Sequence, residues 1–246
     1  MEDGFDATGR RALVTGGAVR VGRSISLALG RAGYEVGVHY RTSQGDAAAT
    51  VKDLKRMGGR ARAFRADLAD PAQIRGMFEE VDQRLGGIEL LVNSAAIFPR
   101  SDALTLSAED WDGVFEINTR APFLCAQQAA RRMTAGSSIV NITDTGADEA
   151  WPSYVPYVAS KAALVSLTRG LARAWAPGIR VNAVAPGPVL LPGDESSESD
   201  ERLAAERTVL GRVGTPEDVS SAVLYLDRAS YVTGEVIRVD GGHHLK

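Results

Sequence analysis

A phenol and an ammonium stand four residues apart in the segment SYVPYVASKAALVSLTRGLARAWA (153–176), as Tyr157 and Lys161. On a helix this spacing places both on one face, one turn apart. The residues around them are mostly apolar, so the helix is expected to be buried, and a buried lysine needs a partner or a role. A free phenol loses its proton near pH 10. A neighbouring ammonium favours the phenolate, which is expected to make Tyr157 an acid or base usable nearer neutrality. Tyr154 is a competing phenol, but one turn beyond it lies Val158, so Tyr157 is preferred. Thirteen residues before Tyr157 comes a carboxylate, Asp144, directly after the apolar run SSIVNIT (137–143).

Near the other end of the chain, RALVT (11–15) leads into Gly16, Gly17, Ala18, Val19, Arg20, Val21 and Gly22, and then into a helical pattern. Glycine in such a turn lets main-chain N–H groups approach a pyrophosphate at a helix N-terminus. Arg20 stands where a dinucleotide fingerprint usually has its middle glycine, and a guanidinium there can face a phosphate or a ligand's carbonyl oxygen. The next strand-like run ends in HYRTS (39–43). An NAD site usually has an acidic residue here for the ribose 2′-hydroxyl. Tyr40, Arg41, Thr42 and Ser43 suit a 2′-phosphate instead, so the cofactor expected is NADPH. His39 reads equally as packing or as a phosphate contact. Asp67 and Leu68 close the third strand, where a carboxylate can accept from an adenine amino group. Asn93, Ser94 and Ala95 close the fourth and place small residues beside the cofactor.

The elements that must bring these groups together alternate along the chain. Strand-like runs at 11–15, 35–40, 61–66, 88–93, 137–143, 178–185 and 235–240 are separated by helical periodicity at 22–32, 45–58, 71–85, 107–134, 154–175 and 216–227. Asp70-Pro71 and Thr215-Pro216 read as helix starts, Gly33 and Gly58-Gly59 as helix stops. Such alternation predicts a doubly wound α/β fold, a Rossmann-like parallel sheet of seven strands with helices on both faces. Ligands in these folds lie across the carboxyl ends of the strands, so the positions above converge. Residues 1–8 read as a flexible tail and 9–246 as one domain. Within it, about 187–206 (GPVLLPGDESSESDERLAAE) reads as a mobile loop, with Val189–Pro192, Leu190 among them, set to touch ligand and the acidic part facing water.

The 246 residues suffice for one domain with a sizeable core. A net charge of −3 argues against nucleic acid or an anionic membrane as the main partner. A single cysteine, Cys125, excludes an internal disulfide. No stretch reaches membrane-spanning length and the N-terminus lacks a signal-type apolar run, so a cytoplasmic protein is expected. No metal site is expected, since His243 and His244 have no acidic or thiol partner nearby in sequence. Trp151 precedes Tyr157 and is a candidate to line the site; Trp111 and Trp175 read as core or interface.

Taken together in this order, the glycine turn (15–22), Asp67, Asn93-Ser94-Ala95-Ala96, Asn118, Tyr157-x-x-x-Lys161, Pro186-Gly187 and the terminal VTGEVIRVDGG resemble the short-chain dehydrogenases/reductases. The resemblance covers roughly residues 9–244. It implies hydride transfer at a carbonyl or imine and a homodimer or homotetramer. It also implies that Tyr157 exchanges the substrate proton, that Lys161 holds the nicotinamide ribose, that Asn118 holds a water near the lysine, and that Pro186, Gly187 and Val189 border the cofactor.

A narrower likeness is to the pteridine reductases. It rests on Arg20, on HYRTS, on Phe98 at the position that stacks a pterin ring, and on Asp144 where the wider family has serine. The ending VDGGHHLK is similar to that of dihydromonapterin reductases. Ala96, Ile97 and Pro99 depart from the pattern. A serine hydroxyl donates to the oxygen of a ketone, where negative charge develops, and a carboxylate would repel that charge. A dihydropterin presents an imine and ring N–H donors, which suit Asp144. The expected substrate contacts are therefore Arg20, Phe98, Asp144, Tyr157 and Leu190, and the expected activity is NADPH-dependent reduction of a dihydropterin. The alternatives are a 3-oxoacyl thioester or other ketone reductase and a non-catalytic NADP sensor.

Overall fold

The computed structural model describes residues 7–189 and 198–246. Seven strands form one parallel sheet: β1 (Arg11–Thr15), β2 (Glu35–Tyr40), β3 (Ala61–Arg65), β4 (Leu90–Asn93), β5 (Ser137–Ile142), β6 (Ile179–Pro186) and β7 (Val236–Val239). Their order is β3-β2-β1-β4-β5-β6-β7. The order reverses between β1 and β4, where a crevice opens at the carboxyl ends of the strands.

The helices are α1 (Arg20–Arg31), α2 (Gln44–Arg56), α3 (Pro71–Leu85), α4 (Ala108–Phe115), α5 (Ala121–Ala130), α6 (Val155–Trp175), α7 (Glu198–Glu206) and α8 (Pro216–Arg228). Successive strand residues point to opposite faces, so each central strand feeds two cores. Val14, Val38, Val92 and Val140 pack with Ile25, Leu29, Leu54 and Val223 of α1, α2 and α8. Leu13, Leu91, Ile139 and Val181 pack with Phe78, Cys125 and Leu171 of α3, α5 and α6. Each large apolar side chain taken from water contributes roughly 1.5–3 kcal/mol. Asp70 caps α3 by accepting from the N–H groups of Ala72 and Gln73, and Thr215 forms a capping box with Asp218 at the start of α8.

Three elements differ from the periodicity reading. The helix expected at 107–134 is divided: α4 and α5 are joined by a π-helical turn, Glu116–Arg120. Pro122 has no N–H for the carbonyl four residues back, that of Asn118, so the α-helical ladder cannot run through. The segment 198–206, read as loop, is α7. Its acidic sequence masks an Arg202–Glu206 pair at 3.1 Å and a buried face at Ala204. Finally, α1 begins at Arg20, two residues earlier than expected, and Arg20 itself has φ +52°. That left-handed conformation costs a non-glycine residue on the order of 1 kcal/mol, and such strain persists mainly at functional sites.

Candidate active site

The crevice is a cavity of about 760 Å³ lined from the ends of β1, β2, β4, β5 and β6. Its walls include Gly16, Arg20, Val21, Gly22, Arg41, Asp67, Leu68, Ser94, Ala95, Phe98, Asp144, Tyr157, Lys161, Pro186, Gly187 and Val189. These residues, distant in sequence, therefore share one space as expected.

The turn after β1 is shaped by close main-chain approach. A Cβ on Gly22 would fall 2.1 Å from the Gly16 carbonyl oxygen. Behind the turn lies His39, 2% exposed. The Gly16 N–H donates to its Nδ1 at 3.0 Å, and the Gly17 N–H donates to its carbonyl oxygen at 3.0 Å. Nδ1 accepts, so the ring hydrogen sits on Nε2 and is given to the Ala66 carbonyl oxygen at 3.1 Å. Burial pushes the His39 pKa down to about 4, which keeps it neutral. His39 is thus a bracket between the glycine turn and the end of β3, not a phosphate contact. Thr15 plays a similar part: its Oγ1 accepts from the N–H groups of Ser94 and Ala95 at 3.0 and 3.1 Å.

Of the group expected to meet a 2′-phosphate, only Arg41 reaches the wall; its side chain is exposed. Tyr40, still in the strand, turns its ring to the apolar core. Ser43 is the N-cap of α2 and makes no side-chain cap bond, and Thr42 accepts the Gln44 N–H with its carbonyl oxygen. Tyr40, Thr42 and Ser43 lie outside the lining because strand alternation and the start of α2 direct them elsewhere. Asn93 also lies behind the wall. It is 2% exposed and donates to Asn141 Oδ1 at 2.9 Å and to the Pro122 carbonyl oxygen at 3.3 Å.

On the substrate side, the Tyr157 hydroxyl donates to Asp144 Oδ2 at 2.7 Å. Asp144 Oδ1 accepts from the Gly146 N–H at 2.7 Å. Lys161 Nζ donates to the Ile142 carbonyl oxygen at 2.9 Å and lies 5.7 Å from the centre of the Tyr157 ring. Burial raises the Asp144 pKa from its ordinary value, against the pull of its bonds to Tyr157 and Gly146. Burial lowers the Lys161 pKa to about 8, opposed by the charge of Asp144. The Tyr157 pKa is raised well above that of a free phenol, first by burial and then by the Asp144 charge and hydrogen bond. This corrects the expectation that Lys161 depresses it. The carboxylate touches the hydroxyl directly, whereas the ammonium is tied to a carbonyl further off.

Asn118, in the π-helical turn, is fully buried. Its Oδ1 accepts from the Ile97 N–H at 2.9 Å, and its amide donates to the Ile97 carbonyl oxygen at 2.9 Å and to Ser160 Oγ at 3.1 Å. The side chain clamps the strand-to-loop exit after β4 onto α6 rather than lining the cavity. Phe98 lines the cavity, but Tyr154 stacks on one of its faces at 4.2 Å and 3°. A pterin ring would have only the other face. Leu190 lies outside the described residues.

The wall also contains residues that sequence reasoning missed: Thr145, Ala204, Arg207 and His243. Trp151 lines it as well. His243 returns to the site through Gly241 and Gly242, whose φ values are +61° and +80°. That glycine pair was the available signal for a turn back toward the sheet ends. Among the described residues no group of three or more His, Cys, Asp and Glu is placed to hold a metal ion, and no helix is long and apolar enough to cross a membrane.

Residues 17–244 match the family model described as enoyl-(acyl carrier protein) reductase. The chain is 35% identical over 243 residues to 3-oxoacyl-[acyl-carrier-protein] reductase FabG of Staphylococcus aureus, covering 96% of this chain and 98% of that one. Among solved structures, a dehydrogenase/reductase of Sinorhizobium meliloti superposes with a TM-score of 0.93 at 36% identity, covering 98% of this chain and 97% of that one. A short chain dehydrogenase of Burkholderia cenocepacia, solved in complex with NADP, superposes at 0.91 and 33% identity, covering 96% and 98%. The curated relative named here is a 3-oxoacyl reductase and not a pteridine reductase, so the narrower likeness seen in the motifs has no counterpart in it.

Proposed function

This chain belongs to the short-chain dehydrogenase/reductase family, and from that premise we propose that it is an NADPH-dependent reductase of the ketone of a 3-oxoacyl thioester. The reductase reading is carried by one observation: the Tyr157 hydroxyl, held protonated, meets Asp144 at 2.7 Å in the cavity that also contains the glycine turn. The substrate class is supported by the relative that matches nearly the whole chain under that name.

The residues present fit a phosphorylated dinucleotide. Gly22 packs its main chain directly against Gly16, an approach that any side chain would block. Arg41 offers an exposed cation at the end of β2, where no carboxylate stands. Arg20, Val21 and Gly22 would hold the pyrophosphate, Arg41 the 2′-phosphate, and Asp67 and Leu68 the adenine. Ser94, Ala95, Pro186, Gly187, Val189 and Lys161 would border the nicotinamide end. Bound there, the dinucleotide supplies the hydride.

The chain's own residues manage the proton. Tyr157 gives its hydroxyl proton to the substrate oxygen. Lys161, charged below about pH 8, offsets the phenolate left behind. Asp144 fits a ketone when it carries a proton, because a neutral carboxyl donates to a developing alkoxide as a serine hydroxyl does. Burial works toward that state, and the hydrogen bonds from Tyr157 and Gly146 work against it. The same reading includes a small-molecule substrate and an assembly of two or four copies.

A second reading, reduction of a dihydropterin, is favoured by Asp144 as an acceptor for ring N–H groups and by the flat wall at Phe98. The test is loss of NADPH absorbance with acetoacetyl thioester and, separately, with a dihydropterin. Turnover of the thioester alone supports the first reading, turnover of the pterin alone the second. NADPH binding with turnover of neither would overturn both.

A further inference from the structure

Three segments far apart in sequence close the substrate end of the cavity. The loop before α6 supplies Trp151, the end of α7 supplies Ala204 and the following Arg207, and the C-terminal turn supplies His243. They meet at His243. Its Nδ1 lies 3.0 Å from the Arg207 carbonyl oxygen, which can only accept, so Nδ1 carries a hydrogen. Its Nε2 lies 3.4 Å from Glu149 Oε1. A neutral ring with its hydrogen on Nδ1 would set a bare nitrogen against that carboxylate. The arrangement is attractive when both nitrogens carry hydrogen, as in the imidazolium.

From Glu149 the contacts run inward. Its Oε2 accepts from Trp151 Nε1 at 2.7 Å. The Trp151 ring lies parallel to that of Tyr157, within 9° and with centroids 6.4 Å apart. Its far edge rests on Gly146, where a Cβ would fall 2.8–3.0 Å from three ring atoms. The Gly146 N–H is the donor to Asp144 Oδ1. One line of contacts therefore joins the C-terminal turn to both members of the proton-handling pair.

We propose that His243 is a positioning residue: paired with Glu149, it holds Trp151 against Gly146 and so sets the orientation of Asp144 and Tyr157 and the width of the substrate end. This rests on the reductase reading of the cavity. Without the His243 ring, Glu149 is drawn to water and the indole it anchors loses its fixed seat. The other charged groups nearby have partners of their own: Asp240 is bonded to His244, and Arg238 to Asp148. Arg207 meets His243 through its carbonyl oxygen. Glu149 is the group that faces His243 Nε2.

The test compares wild type with His243→Ala, His243→Gln and Glu149→Gln. His243→Ala is expected to lower kcat/KM for the organic substrate on the order of 10-fold or more, since displacements well short of unfolding have that effect. The NADPH Kd is expected to stay within about two-fold, because the dinucleotide residues lie at the other end. His243→Gln keeps an N–H for Glu149 and recovers part of the loss. A readout free of turnover uses Trp111→Phe/Trp175→Phe protein, in which Trp151 is the sole indole. Acrylamide quenching of its fluorescence should increase in His243→Ala. It should increase likewise in Glu149→Gln, which breaks the same pair from the other side. Unchanged quenching together with unchanged kcat/KM overturns the proposal, as does a loss of NADPH binding in step with thermal stability, which marks a residue of the fold alone. If wild type reduces neither substrate, the reductase reading fails, and the quenching series still decides the brace.

Discussion

The Tyr157 hydroxyl points to Asp144, at 2.7 Å, and not to Lys161, whose ammonium is bonded to the Ile142 carbonyl oxygen. Burial raises the pKa of both members of the pair. The chemistry of the site follows from which of the two holds a proton when substrate arrives.

If ketone reduction uses protonated Asp144, kcat/KM for the thioester should fall as pH rises through the Asp144 pKa. Asp144→Ser should remove that limb while retaining activity, since a hydroxyl donates at every pH. Dihydropterin reduction should instead fall about 10²-fold in Asp144→Ser, the scale of losing a positioned proton-transfer partner. The check is the pH profile of both substrates in both proteins; a parallel fall would make Asp144 structural.

Tyr157→Phe deletes the transferable proton and leaves the ring contacts with Phe98 and Trp151 in place. Turnover should drop below about a hundredth of wild type. The NADPH Kd, measured by fluorescence titration, should be nearly unchanged. Retained turnover would assign the proton to another group, with Asp144 first in line.

Arg41→Asp should weaken NADPH by about 1.5–3 kcal/mol, the worth of a charge-assisted hydrogen bond, and NADH far less. Titration of each cofactor decides this. Equal losses would mean that Arg41 does not face the 2′-phosphate.

His39 predicts an acid limb in stability. Its pKa is 6.5 when free and about 4 in the fold, so the unfolded chain binds the extra proton first. Stability is fully present above the free value and is lost as pH falls from about 6.5 toward 4. At about 1.4 kcal/mol per pH unit the loss is on the order of 3 kcal/mol. Urea unfolding of wild type and His39→Asn at several pH values should show this slope only in wild type. The variant should bind NADPH and NADH equally poorly, because it loosens the glycine turn and not the 2′-phosphate contact.

The local patterns that depend on neighbours in sequence were legible without a structure. Strand and helix alternation, the caps at Asp70 and Thr215, the glycine turn and the Tyr157/Lys161 spacing all arise from periodicity, turn geometry and one-turn proximity. The π-helical turn at Asn118 had its cause in view, at Pro122, but the periodic apolar pattern runs through it unbroken. What tertiary structure decided is where side chains aim and what they touch. Strand alternation sends Tyr40 to the core and leaves Arg41 at the wall. His39 becomes a neutral bracket because folding sets its two nitrogens between the Gly16 N–H and the Ala66 carbonyl. The Tyr157 pKa rises where spacing alone predicted a fall, because desolvation and a carboxylate in contact outweigh an ammonium one turn away. His243 joins the site from the far end of the chain. Contacts of that kind depend on chain segments meeting across the sheet ends; the Gly241-Gly242 pair marks the turn but not what it meets.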